Sequence, residues 1–133
     1  MKFTYAILLL LTGCSMLGQS YGDGDLTNYK NLTDLKPEVS MLYETFLQDS
    51  PDHEMIWSIR LKLAQAYEYE KGKGEKYRQR AQLIQNIREQ FEKDIEQRKG
   101  PWTSEQITSK TKSMEGLFDR AIRAQREGEE GQK

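Results

Sequence analysis

Four stretches of this chain repeat apolar residues every three or four positions, and a breaker or capping signal stands between each stretch and the next. Leu35, Val39, Leu42 and Phe46 form the first set, and Ile56, Ile59, Leu63 and Ala66/Tyr67 the second. Tyr77, Ala81, Ile84, Ile87, Phe91 and Ile95 form the third, and Ile107, Met114, Leu117/Phe118 and Ala121/Ile122 the fourth. Spacings of three and four keep side chains on one face of a 3.6-residue helix, whereas a strand would alternate. No strand-like alternation stands out, so the expected fold is all-α, a small bundle of about four helices or a pair of helical hairpins.

The breakers set the expected boundaries. Pro37 suits the first position of a helix that ends by Asp49, because Pro51 disfavours a helical Ser50. Ser50 as cap and Pro51 at the first position would open the second helix, with Asp52 and Glu54 against the positive end of its dipole. Gly72-Lys73-Gly74 stops it, since each glycine costs about 1 kcal/mol inside a helix. The third helix runs from about Glu75 to Arg98 and ends at Gly100-Pro101. The fourth has the clearest start: Thr103 and Gln106 fit a capping box, with Trp102 placed to staple against Ile107. Residues 15–33 are rich in Gly, Ser, Asp and Asn, the chemistry of a tether. The expected organisation is therefore a linker over 14–34, a helical domain over 35–126 and a disordered tail over 127–133.

The first thirteen residues belong to a different kind of segment. Lys2 is followed by Phe3–Leu11, nine residues that are apolar apart from Thr4. Such a helix rises only about 14 Å, half of a bilayer core, so it reads as a secretory signal rather than a permanent span. The signal ends in Leu11-Thr12-Gly13-Cys14, and Cys14 is the one cysteine of the 133 residues. This run resembles the lipobox of bacterial lipoprotein precursors. That resemblance implies a diacylglyceryl group on the Cys14 thiol, cleavage before it, an acylated new amino terminus and thus a lipid partner. Several chains anchor stably where one does not. Ser15, rather than Asp, at the next position implies the outer membrane. An ordinary secretory signal cut after Ser20 would instead discard Cys14, and Asn31-Leu32-Thr33 reads as a glycosylation sequon only for a eukaryotic secreted protein.

The remaining inventory argues against catalysis. The one histidine, His53, precedes Glu54, but a zinc-protease helix needs a second histidine where Trp57 stands. A single histidine and no retained thiol leave the Ser-His and Cys-His nucleophile systems unsupported. Carboxylates are abundant, Glu92, Asp94 and Glu96 among them, but Glu92 and Glu96, which share a helix face, sit among Lys93, Arg98 and Lys99 and read as a solvated, ion-paired surface rather than a glycosidase pair. With a net charge of −1 and 31% charged residues of mixed sign, no global field recruits nucleic acid or anionic lipid. Tyr67–Arg80 interleaves aromatic and basic residues, which reads either as a charged corner between helices or as a contact for an anionic envelope partner. No cofactor and no metal is expected.

Two further resemblances concern architecture. Leu63-Ala64-Gln65-Ala66-Tyr67 is similar to the first helix of a tetratricopeptide repeat over five residues, but the next helix lacks the small and aromatic positions and no 34-residue period recurs. A lipobox followed by a small helical domain resembles the pilotins and related accessory lipoproteins. That resemblance implies a non-catalytic assembly factor that docks another envelope protein between its helices. Trp57 lies towards the edge of the second helix's apolar stripe and reads first as packed at the edge of the core; as a binding surface, Trp57, Tyr43 and Leu47 are the residues expected to frame such a groove. A surface-displayed or exclusion-type lipoprotein, and a peptidoglycan-active or glycan-binding protein, are the alternatives.

Overall fold

The computed structural model describes residues 25–130, with side chains through Glu127. The signal, Cys14 and most of the expected tether therefore lie outside the described residues. Four helices follow in order: α1 (Thr27–Glu44), α2 (His53–Lys71), α3 (Arg78–Gln97) and α4 (Ser104–Glu130). Single 3-10 turns at Thr45–Leu47 and Glu75–Tyr77 tighten the corners after α1 and before α3. Successive helices pack side by side, and α4 closes back on α1, giving an up-down-up-down bundle. Among the described residues there is no strand. The same residues contain no helix long and apolar enough to cross a membrane.

The core consists of the spaced apolar residues. Leu35, Val39, Leu42 and Phe46 meet Ile56, Ile59, Leu63 and Ala66, while Ile84, Ile87 and Phe91 meet Met114, Phe118 and Ala121; Ala81 is buried as well. Burying one such side chain contributes roughly 1.5–3 kcal/mol, so these four stripes dominate the favourable side of folding.

Several boundaries differ from expectation, each for a local reason. Helix α1 starts at Thr27, ten residues before Pro37, so the segment expected to end the linker is helical. Asp25 starts it, its Oδ1 accepting the Thr27 N–H at 2.9 Å. Burial of Asn28 and Leu32 then extends the Leu35 stripe by two turns. Pro37 sits inside the helix, where it removes one hydrogen bond, at a cost of about 3 kcal/mol that this added packing offsets. Helix α2 is capped by Asp52 rather than Ser50: its Oδ1 accepts the Met55 N–H at 3.0 Å. At the other end, α4 continues to Glu130, past Arg126, where a disordered tail was expected. The capping box forms as read: Gln106 N–H donates to Thr103 Oγ1 at 3.1 Å, and Thr103 N–H to Gln106 Oε1 at 2.9 Å.

The two corners are built differently. Gly74 takes a φ of 103°, the left-handed region that other residues avoid, which turns the chain from α2 into α3. The α1–α2 loop is instead held from outside, because Arg98 beyond α3 donates to the carbonyls of Phe46, Gln48 and Asp49. The same guanidinium lies 4.9 Å from the centroid of the Phe46 ring.

Candidate functional site

Helices α2 and α3 leave a shallow groove of about 540 Å³ between them. Its floor is Leu63, Ala64 and Phe91, and Trp57 and Leu61 stand on its α2 rim. Trp57 is 69% exposed and Leu61 52% exposed. They lie four residues apart, one above the other on the same helix face. Large apolar side chains side by side in solvent are the informative exception on a small domain. Ala64, one turn beyond Leu61, keeps the groove open where a longer side chain would fill it.

Charged residues frame this apolar strip. Arg60 binds Glu92 through two parallel bonds, Nε to Oε1 at 2.6 Å and Nη2 to Oε2 at 2.7 Å. The hydrogen bond from Glu92 raises the Arg60 pKa above its ordinary value against the effect of partial burial, with the charges of Glu92 and Glu96 adding to it. The two-point geometry fixes the rim as a planar bridge rather than a pair of loose side chains. At the Ala64 end, Arg88 donates to Gln85 Oε1 at 3.0 Å and lies 5.1 Å from the Tyr67 ring centroid. The strip is thus apolar along its middle, held on one side by the Arg60–Glu92 ion pair and at the Ala64 end by the Arg88 guanidinium on the Gln85 amide.

The three residues expected to frame a groove separate into two groups. Trp57 lines it and is exposed, not packed at the edge of the core. Leu47 is 54% exposed, in the turn after α1, and does not line this groove. Tyr43 is fully buried and corrects the expectation: its hydroxyl donates to Asp94 Oδ2 at 2.6 Å, and its ring packs against Phe46, Phe91 and Trp102. Leu61, which completes the rim, was missed because it falls off the Ile56–Ile59–Leu63 stripe. That displacement was itself the available signal.

Two carboxylates are buried with no signal in their spacing. Asp94, between Glu92 and Glu96 in the sequence, is 1% exposed and accepts from Tyr43, from Gln90 at 2.9 Å and from Lys110 at 3.1 Å. Glu70, within the stretch read as a charged corner, is fully buried. Its Oε2 accepts from Asn28 at 2.7 Å, Gln125 at 3.0 Å and Lys73 at 3.3 Å. Both carboxylates tie helices together, and neither lines the α2–α3 groove.

The chain matches no family model, no curated protein and no solved structure. The reading of the site therefore rests on its own geometry. His53 is exposed in the first turn of α2. Among the described residues no group of three or more His, Cys, Asp or Glu side chains is placed to hold a metal ion. What the groove offers chemically is apolar burial beside fixed charges, the pattern of a recognition surface.

Proposed function

We propose that this protein is an envelope lipoprotein, anchored in the outer membrane through Cys14, whose helical domain binds another envelope protein as an accessory or assembly factor. The observation that carries this reading is the exposed Trp57–Leu61 pair on the rim of the α2–α3 groove. Tryptophan is the residue type most enriched among interface residues that dominate binding, and here solvent covers most of it. A floor of Leu63, Ala64 and Phe91 would receive one or two apolar side chains of a partner segment. The Arg60–Glu92 bridge would align that segment. The anchor itself is supported by the sequence run Leu11-Thr12-Gly13-Cys14.

Two experiments test the two halves separately. Cys14→Ala should abolish fatty-acid labelling and accumulate unprocessed precursor; labelling that persists removes the anchor. Trp57→Glu should release the partner recovered by in-cell cross-linking while the helical circular dichroism stays unchanged. A partner retained at wild-type yield would move the binding surface off this groove.

A further inference from the structure

The near-neutral net charge conceals a local segregation. A second cleft, of about 510 Å³, lies between the first turns of α3 and the last turns of α4. Lys76, Arg80, Arg120 and Arg123 line it around Leu83, and among the described side chains that line it one is a carboxylate, Glu127. Neither Arg120 nor Arg123 has an acidic partner among the described residues. Arg120 donates to the Gly116 carbonyl of its own helix at 3.4 Å. Arg80 leans on the Tyr77 ring, 5.0 Å from its centroid, and stands 3.8 Å from Glu70 Oε1. Arg120 and Arg123 lie three residues apart on one face of α4, where like charges repel one another and an anion between them removes that cost.

The cleft's position in the bundle names the anion. In the up-down topology the start of α1, the end of α2, the start of α3 and the end of α4 share one end of the bundle. Asp25, where the described chain begins, accepts a hydrogen bond from Tyr69 of α2 at that same end. The eleven residues from Cys14 to Asp25 reach at most about 40 Å when fully extended. A lipid on Cys14 therefore tethers the bundle by the end that holds the cleft, which keeps that end on average nearer a bilayer than the opposite one.

The geometry points to the α3–α4 cleft as a seat for the phosphate groups of anionic lipids, which orients the domain with this end against the membrane. The inference rests on the lipid-anchored reading for the nearness of a bilayer. It concerns a different face from the Trp57 groove. Arginine forks suit phosphate oxygens, and basic residues near an anionic leaflet are attracted over about one Debye length. With the cationic end down, Trp57 stands fourteen residues of α2 away from Lys71, about 21 Å along the helix and clear of the lipid.

Lysine labelling of the full, processed chain in vesicles tests this, with exposed Lys99 at the far end as internal reference. On vesicles containing phosphatidylglycerol, the labelling of Lys76 relative to Lys99 should fall at least about fivefold from its value on pure phosphatidylcholine. Raised salt should restore it. The exposed pair Arg120→Gln/Arg123→Gln should abolish the fall while leaving the circular dichroism unchanged. An equal ratio on the two vesicle types overturns the proposal, as does an equal fall at Lys99, which would mean unspecific attraction. The same fall on phosphatidylcholine with inorganic phosphate added would overturn the lipid as ligand in favour of a small free anion. Failure to float with pure phosphatidylcholine would count against the anchor alone, and charge-dependent protection of Lys76 would still decide the cleft.

Discussion

The two ends of the bundle each bury a carboxylate, and they do so with opposite surroundings. At the end formed by the α1–α2 loop, Asp94 sits below a box of Tyr43, Phe46, Phe91 and Trp102. Trp102 stands edge-on to Phe46 at 4.7 Å and to Tyr43 at 5.1 Å. Both Asp94 oxygens are occupied, Oδ2 by Tyr43 and Oδ1 by Gln90 and Lys110. At the other end, where α1 begins, Asn28, Gln125 and Lys73 all crowd onto Glu70 Oε2. There Glu70 Oε1 and Gln125 Oε1, both buried, have no hydrogen-bond partner among the described residues. The difference teaches that the first carboxylate completes a packed core, whereas the second sets how α1, α2 and α4 register and leaves acceptor capacity unused.

If this contrast is right, the largest effect belongs to the aromatic box. Trp102→Ala should cost about 3–5 kcal/mol in urea unfolding, the range for emptying a large aromatic site. A cost below 1 kcal/mol would mean that the box is loosely packed.

Next comes Tyr43→Phe, which removes one hydrogen bond to a charged group and should cost about 1.5–3 kcal/mol. It also carries a pH signature. Burial, then the hydrogen bond and charge of Asp94, push the Tyr43 hydroxyl far above its ordinary value of 10.0. The folded chain keeps that proton where the unfolded chain loses it. Its contribution to stability is therefore complete below pH 10 and declines as pH rises beyond it. Unfolding followed from pH 9 to 11 should show a shallower decline in Tyr43→Phe than in the parent.

Gln125→Leu should cost less, about 0.5–1.5 kcal/mol, because it removes one donor to Glu70 together with the unpartnered Gln125 oxygen. A loss equal to that of Tyr43→Phe would erase the distinction between the two ends. The smallest effect is expected at the rim of the groove: Trp57→Glu should stay within about 0.5 kcal/mol of the parent, since little of its surface is buried.

Much of this architecture is legible in the residues. Every spaced apolar set from Leu35 to Ala121 reached the core, and Thr103-Gln106 capped α4 as read. Local patterns decide those features, so sequence carries them. The start of α1 was not legible, because Thr27–Asp34 has linker composition and is helical through tertiary burial of Asn28 and Leu32. Asp94, Glu70 and Tyr43 failed for the same reason. A polar residue is buried only when partners from other helices converge on it, and no spacing within one helix announces Lys110, Gln125 or Asn28. Of the candidate site, Trp57 was legible only as a residue at the edge of the core stripe, read first as packed there and second as part of a groove, while the groove beneath it depends on how α2 and α3 sit side by side.

Arg98 gives the α1–α2 loop a property of its own. Three carbonyls of that loop are gripped from another part of the chain, and the Trp102 N–H adds a bond of 2.7 Å to the Phe46 carbonyl. A protease that cut the exposed run Gln48–Ser50 would sever the covalent link between the first two helices without freeing either. The nicked protein should migrate as one particle in native separation and fall into two fragments only once denatured. Continuity of the polypeptide at this corner is then dispensable for holding the assembled shape.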